Sequence, residues 1–236
     1  MSFSGRTVLV AGASGALGRA VCLAFLEARA HVAATARSAD GLRALAEGAG
    51  AGRERLLTFP ADVSDPAAAV RLVADVAAAC GPFDSVVDTV GAWEGGTPLW
   101  ETDPDDFDRM LAVNLRSAFA LARAALPHLL AQRRGWMVSV ASRAAFGGQA
   151  GSAAYAAAKA GLVALVASVA AEVHGRGVNV NAVVPDVIDT PANRRAMPHA
   201  DTARWSRPDD IAGVIRFLCT EDARAIQGAA IPVTAP

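Results

Sequence analysis

Tyr155 is the chain's only tyrosine, and Lys159 follows it four residues later in Tyr155-Ala156-Ala157-Ala158-Lys159. On a helix, residues i and i+4 share a face, so this spacing brings a phenol and an ammonium group together. A free phenol titrates near pH ~10, and a neighbouring cation favours the phenolate and lowers that value. A phenol tuned in this way exchanges a proton with an alcohol or carbonyl oxygen. The same spacing also fits one buried aromatic and one surface lysine, so the elements around the pair have to decide.

Those elements alternate. Apolar, strand-like runs lie at Thr7–Ala11, His31–Ala36, Leu56–Pro60, Ser85–Asp88, Trp136–Val140 and Asn179–Val184, with a last one near Ala229–Val233. Helical patterns lie between them at Leu17–Arg29, Asp40–Gly48, Pro66–Cys80, Pro104–Ala131, Tyr155–His174 and Arg207–Leu218. Alternation of this kind predicts an α/β fold: a Rossmann-type, doubly wound parallel sheet with helices on both faces. There is no internal repeat and no dividing linker, so residues 1–236 are expected to form a single dinucleotide-binding domain. Pro185–Trp205 is the one long irregular stretch. Loops of that length are usually functional, so a substrate lid is expected around residues 186–205.

The first strand runs into Gly12-Ala13-Ser14-Gly15-Ala16-Leu17-Gly18 and then a helix. Glycines at such a turn let the backbone approach a pyrophosphate, and the helix N-terminus presents N–H donors to it. At the end of the second strand, where NAD-selecting enzymes place an acidic residue for the ribose 2′-hydroxyl, this chain has Ala36 followed by Arg37. An arginine pairs with a 2′-phosphate, which favours NADP(H), with NAD(H) as the alternative. Asp62, after the third strand, either accepts from an adenine amino group or is a solvated turn residue.

A formal net charge of −1 gives no broad attraction to nucleic acid or anionic membrane. The three cysteines, Cys22, Cys80 and Cys219, have neither disulfide nor zinc-ligand spacing and read as reduced thiols buried on helices. No metal is expected, no signal peptide is apparent, and a cytoplasmic protein is the expectation. The run from Ala153 to Val173 is apolar enough to suggest a membrane span, but Lys159 and Glu172 lie within it. A helix buried on most of its faces is the expected reading.

In this order the elements resemble the short-chain dehydrogenase/reductase family over nearly the whole chain. The resemblance rests on Gly12-xxx-Ala16-x-Gly18, Asp62-Val63, Gly91, Val113-Asn114-Leu115, Ser142, Tyr155-xxx-Lys159 and Pro185-xxxx-Thr190-Pro191. Arg207-Pro208-Asp209-Asp210-Ile211-Ala212, then Phe217-Leu218 and Gly228, match its C-terminal pattern. It implies that Tyr155 is the general acid/base and that Lys159 lowers its pKa and binds the nicotinamide ribose. Ser142 would hydrogen-bond the substrate oxygen, and Asn114 would help hold a water-linked proton relay. Gly12, Ser14, Ala16, Leu17, Gly18, Arg37, Asp62, Val63, Gly91, Pro185, Val187 and Thr190 would line the cofactor, with Thr190 at the nicotinamide carboxamide.

The chain departs from the family pattern at Ala16, at Asp88-Thr89-Val90-Gly91, at Asp186 in place of a glycine, and at the C-terminus. Three segments resemble one branch in particular, the dihydropteridine reductases: Gly15–Gly18, Gly91–Gly96, and Asp189–Asp201 continuing to Trp205. Trp93 and Trp205 either line a pocket for a flat substrate, or pack a loop and anchor the lid. Arg194, with Arg195 and His199, either meets an acidic substrate group or forms a solvated lid face. The implied activity is NADPH-dependent reduction of a small carbonyl compound. The alternatives are reduction of quinonoid dihydropterin and a non-catalytic dinucleotide-binding regulator. The family's habit of pairing the helices at 104–131 and 155–174 implies a homodimer or homotetramer.

Overall fold

The computed structural model describes residues 2–235. Seven strands form one parallel sheet: β1 (Thr7–Ala11), β2 (His31–Ala36), β3 (Leu56–Pro60), β4 (Ser85–Asp88), β5 (Gly135–Val140), β6 (Val178–Pro185) and β7 (Ala230–Val233). Their order is β3-β2-β1-β4-β5-β6-β7. The order reverses at β1, whose residues pair with β2 on one side and β4 on the other. At such a reversal the flanking connections leave toward opposite faces, and a crevice opens at the strands' carboxyl ends.

The helices are α1 (Ala16–Glu27), α2 (Ala39–Glu47), α3 (Pro66–Cys80), α4 (Pro104–Leu111), α5 (Ser117–Gln132), α6 (Ala153–Glu172), α7 (Pro191–Ala196) and α8 (Pro208–Leu218). Side chains alternate across each strand, so Val8 and Val10 face one layer while Leu9 and Ala11 face the other. The first layer packs on Val21 and Phe25 of α1, Leu42 of α2 and Ile211 and Ile215 of α8. The second packs on Leu72 of α3, Leu121 and Leu129 of α5 and Leu162 and Val166 of α6. Burying a side chain of this size contributes about 1.5–3 kcal/mol. Both layers are needed, because strands apolar on both faces cannot leave either in water.

Three sequence expectations are corrected here. The helix expected over Pro104–Ala131 is broken by a π-helical turn at Ala112–Arg116. There the Ser117 N–H donates to the Ala112 carbonyl instead of that of Val113, and the Ser117 hydroxyl satisfies Val113 at 2.7 Å. Such turns cost helical regularity and occur mostly at functional sites. Second, α6 is not buried on most of its faces. Its buried residues are Ala154, Ala158, Lys159, Leu162, Val166, Val169 and Ala170, a single stripe against the sheet. The other faces are alanine-rich and open, because the sheet can cover only one side of a cylinder. The helix is long and apolar enough to cross a membrane by length and composition. Third, the irregular stretch contains α7, which starts because the Thr190 hydroxyl accepts from the Asn193 N–H at 3.1 Å.

Candidate active site

A cleft of about 320 Å³ opens at the carboxyl ends of β1 to β4. Gly12, Ser14, Arg37, Asp62, Val63 and Gly91 line it, together with Thr35, Ala36 and Arg109. Gly12 has φ +80°, and a Cβ there would lie 2.6 Å from the Thr89 hydroxyl oxygen. A Cβ on Gly18 would overlap the Gly12 carbonyl oxygen. The two glycines therefore let α1 sit directly on the turn, with Thr89 donating to the Ala11 carbonyl at 2.7 Å beneath it. Leu17 is buried at the start of α1, while Ser14 and Ala16 face outward.

The residues fit a dinucleotide on two counts. The N-terminus of α1 has neither a capping side chain nor an acidic residue in its first turn, whereas Ser38, Asp65 and Asp103 cap α2, α3 and α4. Its free N–H groups and positive dipole end suit a pyrophosphate. In addition, the buried Thr35 hydroxyl at the end of β2 lines the cleft with no partner of its own. Arg37 stands exposed at the rim and has no ion pair among the described residues. Hydrogen bonds from Ser64 hold the Asp62 carboxyl below its ordinary range, and the charge of Arg37 adds to that.

Ser142 follows β5; on α6, Lys159 stands on the buried stripe, and Tyr155, one turn before it, is partly buried. The Lys159 ammonium is buried, donates to the Val140 carbonyl at 2.9 Å, and lies 5.9 Å from the Tyr155 ring centre. Burial lowers it from 10.5 to about 8, and the negative charge of Asp88 opposes that. Asp88, buried at the end of β4 with one N–H bond from Val90, is pushed up to about 6. The expectation that Lys159 lowers the Tyr155 phenol is corrected: burial raises the phenol above its ordinary value, and the neighbouring Ser142 hydroxyl only partly offsets this. The ammonium is turned toward Val140, so desolvation of the phenolate decides the direction.

Asn114 sits in the π-helical turn and clasps the loop after β4. Its Nδ2 donates to the Ala92 carbonyl at 2.9 Å, and its Oδ1 accepts from the Ala92 N–H at 3.2 Å. A Cβ on Gly91 would lie 3.0 Å from the Asn114 Oδ1 and 3.2 Å from the Lys159 Nζ. The missing side chain at Gly91 thus leaves the space through which loop, asparagine and lysine meet.

The 186–205 segment is pinned at its base. Val187 accepts from the Ser206 N–H at 2.8 Å, and Asp189 donates to the Ser206 carbonyl at 2.9 Å. Trp205, 6% exposed, is buried beside that base, which is the anchoring role of the two left open by the sequence. Arg194 pairs with Asp189 at 2.6 Å on the exposed surface of that segment. Pro185 ends β6 in the interior. The cysteines are free: Cys22 and Cys219 are buried, but Cys80 ends α3 only half-buried. Among the described residues no His, Cys, Asp or Glu cluster could hold a metal.

Sequence reading missed Thr35, Ser117 and Arg109. A polar residue ending an apolar strand was the available signal for Thr35. Nothing local marked the other two, which line the cleft from either side of the π-helical turn.

The family model described as short chain dehydrogenase matches residues 6–201. A D-threitol dehydrogenase of Mycolicibacterium smegmatis is 35% identical over 95% of this chain and 90% of its own. A 3-oxoacyl-(acyl-carrier-protein) reductase of Salmonella typhimurium is 32% identical over 99% of this chain and 97% of its own. A crystal structure from Burkholderia xenovorans, described as a short-chain dehydrogenase/reductase, superposes with a TM-score of 0.92 at 31% identity, covering 99% of this chain and 96% of that one. Another, from Beutenbergia cavernae, is described as an NAD(P)-dependent gluconate 5-dehydrogenase with bound NADP. It superposes with a TM-score of 0.90 at 31% identity, covering 98% of this chain and 96% of that one.

Proposed function

This chain belongs to the short-chain dehydrogenase/reductase family, and on that premise we propose that it reduces a small carbonyl compound at the expense of NADPH. The observation that carries the reading is the Ser142, Tyr155 and Lys159 set beside the glycine-turn cleft, joined to it where Gly91 of the cleft wall meets the Lys159 ammonium. Gly12, Ser14, Gly18, Val63 and Thr190 would hold NADPH, which would supply the hydride. Tyr155 gives its proton to the substrate oxygen as that oxygen gains charge, and Ser142 Oγ donates a second hydrogen bond to it. Lys159 returns a proton to Tyr155, and Asn114 orders the path by fixing the loop that borders it. Arg37 supports NADPH over NADH, since it is an exposed guanidinium on the cleft rim with no ion pair among the described residues, and such a group pairs with a 2′-phosphate.

A buried lysine beside a raised carboxyl also speaks against a regulator that only binds nucleotide. Both groups are shifted by burial, and shifted groups of this kind cluster at functional sites. The experiment follows NADPH oxidation by the pure protein with ketones, quinones and quinonoid dihydropterin. Turnover of ketones or quinones supports the reading. Turnover of the pterin alone replaces it with the dihydropteridine branch, and cofactor binding without any turnover replaces it with the regulator.

The protein is further proposed to assemble as a homodimer or homotetramer through helices 104–131 and 155–174. Leu111, Leu115, Phe119 and Leu165 line an open groove between them. Light scattering tests this, and a monomeric mass refutes it.

A further inference from the structure

The loops over the reacting end carry one step more, which rests on the reductase reading above. Trp93 is 55% exposed and Phe146 64%, and Val187 is also exposed. Trp93 lies two residues after Gly91, Phe146 four after Ser142, and Val187 two after Pro185. Each therefore rides the loop leaving the carboxyl end of β4, β5 or β6, which are adjacent strands. Large apolar side chains gathered in water at one end of a sheet mark a place where something binds.

Trp93 is held in position. Its indole N–H donates to the Ser152 hydroxyl at 3.4 Å, and Ser152 is buried. That hydroxyl is spent on the indole, not on capping α6. Beside it, the Gly96 N–H donates to the Gly151 carbonyl at 2.8 Å. The two backbones approach so closely that a Cβ on Gly95 would overlap the Gly151 carbonyl oxygen. A Cβ on Gly151, where φ is +73°, would lie 3.0 Å from the Gly96 backbone. This glycine clasp ties the loop carrying Trp93 to the residues just before Tyr155.

Three arginines around these loops are spent internally. Arg143 pairs with Asp186 at 3.1 Å, Arg194 with Asp189 at 2.6 Å, and Arg109 with Glu94 at 2.6 Å. An anionic substrate drawing on any of these three would have to break its pair, whereas a neutral ring meets the exposed indole without that loss.

We propose that the site takes a neutral carbonyl compound bearing an aromatic or other flat apolar ring, and that Trp93, set by the Gly95-Gly96/Gly151 clasp, is the specificity-determining residue that receives the ring. The test measures, by calorimetry on NADP⁺-loaded protein, the affinity for 1-phenylpropan-2-one, hexan-2-one and 3-oxohexanoate. The aryl ketone binds tightest, and Trp93→Ala weakens it about 10-fold while changing hexan-2-one less than about 2-fold. Gly95→Ala, which opens the clasp but keeps the indole, gives the same selective loss. Tightest binding of the keto acid, an equal effect of Trp93→Ala on all three compounds, or no binding of the aryl ketone would overturn the proposal. Failure of the reductase reading shows differently: no NADPH oxidation with any ketone, although the aryl ketone still binds in a Trp93-dependent way.

Discussion

Replacing Asp88 by asparagine should stabilise the protein at neutral pH and flatten its stability profile in mild acid. The Asp88 carboxyl is buried, accepts one N–H from Val90 at 3.0 Å, and is raised by burial from 3.8 to about 6. Between those two values the folded chain keeps a proton that the unfolded chain has released. Stability therefore falls as pH rises through that window and levels off above it. The gap between 3.8 and about 6 corresponds to about 3 kcal/mol, at ~1.4 kcal/mol per pH unit. Asparagine keeps the shape and can still accept from Val90, so that loss disappears. Part of the gain is given back, because Lys159 loses the charge that favours its ammonium, and a net of about 1–2 kcal/mol is expected near neutral pH. Lys159, lowered to about 8, works in a separate window: stability rises as pH climbs from about 8 toward 10.5. The assay is urea unfolding of both proteins from about pH 4 to about pH 7, comparing midpoints at equal slope. If the wild type loses no more stability than the variant across that range, Asp88 is not the strained carboxyl described here.

Tyr155→Phe should cut turnover by roughly 10²–10⁴-fold with NADPH affinity unchanged, and turnover near wild type would remove Tyr155 from its role as acid. Arg37→Ser should weaken NADPH by about 10–100-fold and leave NADH nearly untouched, since a hydrogen bond to a charged group contributes about 1.5–3 kcal/mol; an equal loss for both cofactors would show that Arg37 does not read the 2′-phosphate. Gly18→Ala places a methyl group on the Gly12 carbonyl oxygen, so a loss of about 1–3 kcal/mol in thermal stability and weaker dinucleotide binding are expected. A variant as stable and as tight-binding as the wild type would contradict the packing of α1 on its turn.

The sequence by itself determined the fold and the order of its parts. β1 to β4 run as the apolar runs predict: β1, buried on both faces, has to be apolar throughout, and the runs are bounded by turn residues on either side. Gly12, Gly18, Tyr155 and Lys159 were legible for a similar reason: each depends on a local rule of spacing or on a missing side chain. What needed the tertiary structure was everything set by neighbours distant in the chain. The π-helical turn at Ala112–Arg116 exists where Asn114 reaches the backbone of Ala92, twenty-two positions away. The burial of Trp205, the exposure of Trp93 and the clasp between Gly96 and Gly151 each join segments that the sequence shows only as separate loops. The direction of the Tyr155 shift was decided in the same way. Spacing puts a cation on the same helical face as the phenol, but only the packed site fixes how much water the phenolate would lose and where the ammonium turns. Desolvation depends on the whole surrounding shell, and no pair of sequence positions encodes it.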